Sequence, residues 1–373
     1  MVQYDACFIA LSDIRTDART VNIAQALAKA GKRVCMLVPD WCGTIQIEAI
    51  DIVTFPCIQK SRLWKKWIQF RKNGVSTGKT INSKSYWAAD LYSLPVAVQL
   101  AKRNKAKVVY DSREIYSTLG PLHKHPIKQA AIASIERRYA QFAHTIIVSG
   151  EMDAEYIRQH LQRNEKPDVV MNVPPYSQPQ RTQKLRARFS IPEQCIISVY
   201  QGAVLEGRGI EPMMQTVLRK PDLHFCVLGD GPMLERYKQE CLLMGISERV
   251  HFAGAIPYNE LPEWTASADV GICYVEPISF SYSLALPNKL FEYAMARIPA
   301  IVSDLPAMRQ IVTQYPFGEL LPNSAPPEHI ASAITHIIAN KERYISQAEA
   351  IAKLYNRESQ EEIILKIFTN LVR

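Results

Sequence analysis

Residues 196–209, IISVYQGAVLEGRG, decide the fold, because a short apolar run leads there into a glycine-containing loop that precedes a helix. The run from Ile196 to Tyr200 has the length and the β-branched residues of a buried strand. The same order of strand, loop and helix recurs in both directions along the chain. This alternation is typical of parallel sheets with crossover helices, so the sequence predicts an α/β fold.

Outward from this stretch, the alternation occurs in two series. In the second half we expect further strands at His224 to Leu228, Val250 to Phe252, Val270 to Tyr274 and Pro299 to Val302. In the first half we expect strands at Ala6 to Ala10, Arg33 to Val38, Val108 to Asp111 and Thr145 to Val148. A helix from Ala18 to Ala30 is expected to end at Gly31, where glycine can adopt the left-handed conformation.

The two series are separated by residues 172–179, NVPPYSQP, whose three prolines oppose a helix or a central strand. We therefore expect an N-terminal Rossmann-like domain at 1–172, a linker at 173–193 and a C-terminal Rossmann-like domain at 194–356. Two doubly wound domains of this kind can face a shared cleft, where open α/β sheets bind ligands. A final helix at 357–373 has an apolar stripe that must pack against other residues, formed by Ile363, Ile364, Ile367, Phe368, Leu371 and Val372.

The composition indicates a globular protein of more than one domain. The chain has 373 residues, of which 47% are hydrophobic and 21% charged, and no apolar run is long enough to span a membrane. The first residues, Met1 to Asp5, do not resemble a signal peptide, and the eight cysteines contain no CxxC pair. We therefore expect a cytoplasmic protein with reduced thiols and no metal site.

The net charge of +8 is concentrated in residues 59–84. This segment has eight basic residues and no acidic one, interleaved with Leu63, Trp64, Trp67, Ile68 and Phe70. One interpretation is contact with an anionic membrane surface, and another is a solvated basic face whose aromatic residues pack on the domain. Nucleic acid is not expected, since no recognised binding module accompanies the charge. The basic residues are Lys60, Arg62, Lys65, Lys66, Arg71, Lys72, Lys79 and Lys84.

Two familiar phosphate-binding motifs are missing. The turn after the first strand, Leu11 to Asp17, has no glycine, which excludes a GxGxxG fingerprint there, and the chain has no GxxxxGK[ST] loop. Phosphate must therefore be held in another way.

Two loops of the second half could approach a ligand closely. Gly202 and Arg208 lie between a strand and a helix, where free amides and a guanidinium favour phosphate, although Arg208 could equally be a surface arginine. Gly229, Asp230 and Gly231 follow the next strand, and glycine there leaves room for a ring or a phosphate. An ordinary strand-to-helix turn has the same composition.

Residues 286–296, LPNKLFEYAMA, contain the most specific pattern. A helix is expected to begin near Asn288, so its first-turn amides and the Lys289 ammonium would form a diphosphate site. Glu292 lies one turn further along the same face, where its carboxylate can accept hydrogen bonds from ribose hydroxyls. The alternative is an amphipathic helix with a surface pair of Lys289 and Glu292.

In their order along the chain, these residues resemble the retaining glycosyltransferases of the GT-B fold, in particular the group-1 (GT4-like) family. The resemblance covers essentially the whole chain. It depends on the order of Asp17–Thr20, Ala24–Val34, Ala89–Tyr92, Val109–Tyr116, Gly229–Pro232, Val250–Gly254, Ala268–Val270 and Lys289–Tyr293.

The resemblance implies transfer of a sugar from a nucleoside diphosphate donor, of UDP or GDP type, with retention at the anomeric carbon. The acceptor would be a glycan or a lipid-linked saccharide, no cofactor or metal would be obligatory, and the final helix would cross back to the N-terminal domain. Basic residues 59–84 would then place the enzyme peripherally on the inner face of the cytoplasmic membrane.

The resemblance also implies roles for individual residues. The catalytic residues would be Arg113, Arg208, Lys289 and Glu292, with Glu292 as the second glutamate of the family's EX7E motif. The donor would also contact Gly202, Gly229, Asp230, Gly231, Asn288 and Leu290. The acceptor side would include Asp17, Arg19, Asp90, Asp111 and Glu114.

Three residues depart from the family pattern. Leu284 stands where the motif has its first glutamate, which leaves Glu276, Ser281 and Ser283 as candidates for its role. Ala203 replaces a basic residue, and Arg113 replaces a histidine. Two other functions therefore stay open: a sugar-nucleotide 2-epimerase of the same fold and a non-catalytic GT-B partner subunit.

Overall fold

The chain divides into two compact units. In a computed structural model of the protein, residues 3–43, 45–119, 122 and 125–373 are described. The first unit comprises Met1–Asn172 and Glu358–Arg373, and the second comprises Val173–Arg357. Met1 and Val2, on which the prediction of no signal peptide partly depends, lie outside the described residues.

The first unit contains a seven-stranded parallel sheet in the order β4-β3-β2-β6-β7-β8-β9, beside a two-stranded pair of β1 and β5. The sequence predicted four of these strands to within about a residue at each end, but it missed the outer strand β4, the central strand β6 and the short ones. The strands are β1 (Gln3–Tyr4), β2 (Ala6–Ile9), β3 (Val34–Pro39), β4 (Ile50–Phe55), β5 (Asn82–Ser83), β6 (Ser85–Ala88), β7 (Lys107–Ser112), β8 (Thr145–Val148) and β9 (Asp168–Val169).

Helices cover both faces of this sheet. One apolar core lies beneath α2, α3, α4 and α5 and includes Phe70 and Leu100, and the other lies beneath α1 and α15 and includes Leu27 and Phe368. Gly31 has a φ of 74°, the left-handed conformation expected after the first helix. The helices are α1 (Ala18–Lys29), α2 (Leu63–Gly78), α3 (Leu94–Asn104), α4 (Pro126–Ala140), α5 (Glu151–His160) and the last helix of the chain, α15 (Arg357–Val372).

The C-terminal helix α15 returns to the first unit. Ile364, Ile367, Phe368 and Leu371 are buried in its core, and Glu361 forms an ion pair of 2.6 Å with Lys29. The predicted apolar stripe was too wide, because Ile363 and Val372 lie at the edges of the buried face and are exposed.

The second unit contains a six-stranded parallel sheet in the order β12-β11-β10-β13-β14-β15. Strands β10 and β11 pair in register from Ile196 with Leu223 to Gln201 with Leu228. The sequence predicted five of its strands and missed the edge strand β15. The strands are β10 (Ile196–Gln201), β11 (Leu223–Leu228), β12 (Val250–Gly254), β13 (Val270–Cys273), β14 (Ala300–Ser303) and β15 (Gly318–Leu321).

Nine further helices belong to the described part of the second unit. They are α6 (Lys184–Phe189), α7 (Ile210–Arg219), α8 (Leu234–Leu243), α9 (Leu261–Thr265), α10 (Phe280–Ser283), α11 (Asn288–Met295), α12 (Pro306–Gln314), α13 (Pro327–Ala339) and α14 (Lys341–Leu354).

Residues 173–193, expected as a linker, instead form part of the second unit and include helix α6. Arg181 donates to Asp269 at 2.6 Å, and Arg186 lies 3.4 Å from the same carboxylate. Asp269 also accepts the backbone N–H of Ile197 at 2.9 Å, which ties the segment to the start of β10. Prolines kept the segment from forming a long helix, but they did not leave it free.

No helix in the described ranges is long and apolar enough to cross a bilayer. The described cysteine side chains are free thiols, and most of them are buried.

Candidate functional site

The second sheet has a topological switch point between β10 and β13. Strand β10 lies between β11 and β13. The chain continues from β10 to β11 on one side of this point and from β13 to β14 on the other, so the two connections run in opposite directions along the sheet. Open parallel sheets bind ligands at the carboxyl ends of the strands at such a point. The loops at Gly202 and Tyr274 begin there, and the loop after β13 leads through α10 into α11.

The loops after β10 and β11 are locked together. Gly202 N–H donates to Leu228 O at 3.0 Å, and Val204 N–H donates to Asp230 O at 2.9 Å. A Cβ at Gly229 would lie 1.9 Å from the carbonyl oxygen of Gly202, so only glycine allows this approach. The two glycine loops predicted separately from the sequence are therefore one surface.

Lys289 lies in the first turn of α11 and is 7% exposed, yet its Nζ has no hydrogen-bond partner among the described residues. The ammonium lies 3.6 Å from the centre of the Tyr200 ring. Burial is the main reason that the pKa of Lys289 is lowered to about 7; the nearby charge of Arg208 acts in the same direction, while Cys273 and Glu292 oppose the shift. A buried cation without a carboxylate is costly, so this position is suited to an anion.

Arg208 faces Lys289 from the loop between β10 and α7. Its guanidinium lies 4.2 Å from the centre of the Tyr282 ring, and no described carboxylate forms a salt bridge with it. Gly207 O accepts the N–H of Glu276 at 2.9 Å, so the segment after β13 packs on the Arg208 loop. Two aromatic rings thus support two cations, and neither cation is neutralised.

Glu292 lies one turn beyond Lys289 on α11. Its Oε2 accepts a hydrogen bond of 2.5 Å from Gln201, whose Oε1 accepts one of 2.7 Å from Thr265. Burial raises the pKa of Glu292, while the Gln201 bond and Lys289 oppose the shift. The other carboxylate oxygen, Oε1, accepts no side-chain hydrogen bond from the described residues and can accept one from a ligand hydroxyl.

A cavity of about 260 Å³ opens beside this carboxylate. Glu292 and Gln201 form one side, and Tyr258, Leu261 and Pro262 provide an apolar wall. The cavity has room for a flat ring next to the polar pair. Sequence analysis missed Tyr200, Gln201, Tyr258 and Tyr282; only Gln201, a polar residue ending an apolar strand, gave a sequence signal.

The first unit has its own switch point, between β2 and β6, and a cluster of charges lies near it. Arg113 donates to Asp17 at 2.8 Å and to Thr20 at 2.7 Å. Arg19 donates twice to Asp111, both bonds being 2.8 Å long. Although burial raises the pKa of Asp17, the charge of Arg113 holds it below its usual value.

Asp90 and Glu114, the other residues expected on the acceptor side, form no salt bridge with the described residues of this cluster. Asp90 accepts the Ser93 N–H at 2.6 Å, close to the start of α3, and burial raises its pKa. Glu114 is exposed. The structure thus brings Arg208, Lys289 and Glu292 together in the second unit and Asp17, Arg19, Asp111 and Arg113 together in the first.

The described residues contain no group of three or more His, Cys, Asp or Glu side chains placed to hold a metal ion.

Residues 210–340, all in the second unit, match the family described as Glycosyl transferases group 1. The match confirms the resemblance to group 1 glycosyltransferases predicted from the sequence and supports a transferase.

Among curated proteins, the chain is similar to a 2-deoxystreptamine glucosyltransferase from Streptomyces kanamyceticus, with 24% identity over 195 residues. That match covers 49% of each protein. A 2-deoxystreptamine N-acetyl-D-glucosaminyltransferase from Streptomyces fradiae is 23% identical over 45% of this chain and 39% of its own length. The chain thus spans about half or less of the curated relatives it matches.

Solved structures share the whole fold. Sucrose-phosphate synthase from Thermosynechococcus elongatus superposes with a TM-score of 0.81 at 16% identity, covering 99% of both chains. Anabaena Alr3699/HepE in complex with UDP-glucose gives a TM-score of 0.77 at 16% identity, covering 98% of this chain and all of that one. These likenesses confirm the predicted GT-B fold class.

Proposed function

We propose that the protein transfers a sugar from a nucleoside diphosphate sugar to an acceptor hydroxyl, with the donor bound by the second unit. The observation that supports this most strongly is the buried Lys289 ammonium, which forms no hydrogen bond or salt bridge with any described residue and lies at a helix start beside Arg208. A diphosphate supplies the missing negative charge, and the first-turn amides of α11 supply further hydrogen bonds.

The donor would extend across the switch point. Its diphosphate would lie between Arg208 and Lys289, its ribose against Glu292, and its base in the cavity beside Tyr258. We propose UDP as the nucleotide, because Anabaena Alr3699/HepE, which shares the fold, was solved with UDP and with UDP-glucose. Gly202, Gly229 and Gly231 would allow the backbone to lie close to the donor.

Charge governs the chemical step. As the bond between the anomeric carbon and the diphosphate breaks, negative charge grows on the departing oxygen, and preorganised cations stabilise that charge more than they stabilise the ground state. Lys289 would take up a proton when the diphosphate binds, since the anion favours its charged form. We propose retention at the anomeric carbon, in line with the group 1 resemblance.

The acceptor would bind the first unit and would be a glycan or a lipid-linked saccharide. Arg113, held by Asp17 and Thr20, could stabilise a sugar or phosphate oxygen there, because an arginine cannot exchange a proton near neutral pH. We propose a cytoplasmic, peripheral location at the inner face of the membrane.

A thermal-shift screen with UDP, GDP and ADP tests donor binding. A ligand at a hundred times its dissociation constant stabilises the folded state by about 2.7 kcal/mol, so the correct nucleotide should raise the melting temperature measurably. Lys289→Met should reduce the rise by weakening donor binding, whereas Lys238→Met, which removes a surface lysine paired with Glu235, should leave it unchanged. If no nucleotide diphosphate raises the melting temperature of the unmodified protein, the proposal is wrong.

A non-catalytic partner subunit is the second candidate, because Leu284 and Ala203 replace two polar family residues. Leu284 is half-buried at the end of α10, where it provides no carboxylate. Hydrolysis or transfer of the bound donor by the purified protein distinguishes the two, since a non-catalytic subunit would bind nucleotide without consuming the sugar donor. An epimerase would convert the sugar without any acceptor.

A further inference from the structure

Helix α2 divides its apolar residues between two faces. Phe70 is fully buried, and the Trp67 indole N–H donates to Tyr92 O at 2.9 Å, so both anchor the helix on the first unit. Leu63, Trp64 and Ile68 point outward with 52%, 55% and 57% of their surface exposed. Packing on the domain therefore explains only part of the apolar content of residues 59–84.

The basic residues around these outward side chains are not neutralised. Within the described part of the chain, no salt bridge involves Lys60, Arg62, Lys65, Lys66, Arg71 or Lys72. Residues 59–84 contain no acidic residue that could provide one. Ile68 lies four residues after Trp64, and Arg71 and Lys72 lie three and four residues after Ile68, so apolar and basic groups share one helix face.

Helix α8 of the second unit shows that exposed leucines alone do not distinguish α2. Leu242 and Leu243 are 70% and 88% exposed. The basic residues of α8, however, are paired within the helix, Arg236 with Glu240 and Lys238 with Glu235, each at 2.7 Å. The two helices thus expose similar apolar side chains on surfaces of different charge.

Another exposed apolar residue, Ile127 of α4, lies at the same edge of the first sheet. Helices α2 and α4 both follow parallel strands and pack over the same core, so both begin at the carboxyl edge of the strands. Arg71 of α2 lies 6.0 Å from the centre of the Tyr139 ring of α4. Ile127, in the first turn of α4, is 85% exposed and is followed by Lys128.

From this arrangement we infer that the outward face of α2 binds an anionic lipid surface. Lys65, Arg71 and Lys72 contact lipid phosphates, while Leu63, Trp64 and Ile68 enter the boundary between headgroups and acyl chains. Charge complementarity identifies the lipid as anionic, and the exposed apolar side chains favour a bilayer over a soluble polyanion, which has no acyl phase to receive them. The inference does not depend on glycosyl transfer.

Vesicle flotation of the full chain tests the inference. Vesicles of equimolar phosphatidylcholine and phosphatidylglycerol should bind the protein, whereas vesicles of phosphatidylcholine alone should bind it at least tenfold more weakly. Replacing Lys65, Lys66, Arg71 and Lys72 by glutamine should reduce binding at least tenfold, because each basic residue near an anionic surface contributes about a fivefold change in affinity. High salt should also weaken the binding of the unmodified protein to the anionic vesicles.

The apolar contribution needs its own variant and a matched control. Leu63→Ser with Trp64→Ser and Ile68→Ser should weaken flotation at least tenfold, whereas Leu242→Ser with Leu243→Ser on α8 should leave it unchanged. Unchanged melting temperatures would show that all variants are folded, as expected for exposed positions.

Tryptophan fluorescence gives a second measurement. The emission should shift to the blue with anionic vesicles, and Trp64→Phe should remove the shift. Equal binding to both kinds of vesicle, or equal loss in the α8 control, would overturn the inference. So would binding to a single-stranded oligonucleotide that depends on the basic residues alone, with no fluorescence shift on vesicles.

Discussion

The cations near the carboxyl ends of the two sheets have different surroundings. In the first unit, Arg19 and Arg113 each donate to a carboxylate at 2.8 Å, and the four charged groups are largely hidden from solvent. In the second, Lys289 is equally buried but has only the face of Tyr200, and Arg208 has only that of Tyr282. The second sheet edge therefore holds positive charge that no described carboxylate balances through a salt bridge.

This difference separates charge that is paired within the protein from charge that is left for a ligand to balance. A buried pair with good geometry keeps both partners in place, and removing one partner leaves the other uncompensated. A buried cation without a partner lowers stability, and such perturbed groups cluster at functional sites. The first cluster is thus expected to affect folding most when altered, and the second is expected to affect binding and turnover.

Asp111→Asn should have the largest effect on stability. Arg19 would remain buried without its charged partner, which costs about 3–5 kcal/mol. Urea denaturation should show an earlier unfolding transition. Asp222→Asn, which alters a pair with Lys220 in which Asp222 is half exposed, should cost at most about 1 kcal/mol and serves as the control. Equal losses of stability in the two variants would show that the buried pair of Arg19 and Asp111 matters no more for folding than an exposed pair does.

Lys289→Met should have the largest effect on activity. Loss of a preorganised group that stabilises the leaving charge reduces kcat by about 100-fold to 1,000-fold. Stability should be unchanged or higher, because methionine fills similar volume without a buried charge. If Lys289→Met had lower stability and normal turnover, Lys289 would serve folding and not catalysis.

Glu292→Gln should weaken donor binding by about tenfold or more, since hydrogen bonds to a charged group contribute about 1.5–3 kcal/mol. The new amide oxygen can still accept the bond from Gln201, so the melting temperature without ligand should change little. Calorimetric titration with the nucleotide provides the measurement. Equal affinities of the two proteins would place the ribose elsewhere.

Nucleotide affinity should fall as the pH rises above about 7, by at most tenfold per pH unit. Free Lys289 loses its proton with a pKa of about 7, so at higher pH the diphosphate must bind together with a proton. Stability without ligand changes in the other direction. Since the unfolded chain retains that proton up to the ordinary pKa of 10.5, this group's contribution to stability rises with pH between the two values.

Titrations at pH 6.5, 7.5 and 8.5 would measure this dependence. Lys289→Met should remove most of it and provides the control. The same slope in both proteins would show that another group takes up the proton.

The alternation of strands and helices was predictable because buried parallel strands require nearly continuous apolar runs. Runs such as Ile196 to Tyr200 and Thr145 to Val148 therefore appear in the sequence. Strand β4 was missed because it lies at the sheet edge and has exposed residues, including Asp51, which interrupt the apolar pattern. Strand β6, with Tyr86 and Trp87 fully covered, was missed because Ser85 to Ala88 contains no β-branched residue.

The site was predictable where glycine or charge follows a strand, as at Gly202, Gly229 and Lys289. Its aromatic supports were not, because Tyr200 and Tyr282 meet the cations only through tertiary packing. The pairing of Arg19 with Asp111 spans 92 positions and could not be inferred from spacing. The roles assigned to individual site residues stay predictions.

The contact between Gly202 and Gly229 restricts how this protein could be redesigned. Because the backbone at position 229 leaves no space for even a methyl group beside the oxygen of residue 202, neither loop can be exchanged without its partner. Libraries intended to change nucleotide preference should therefore keep both loops fixed and vary Tyr258 and Leu261, whose side chains line the neighbouring cavity.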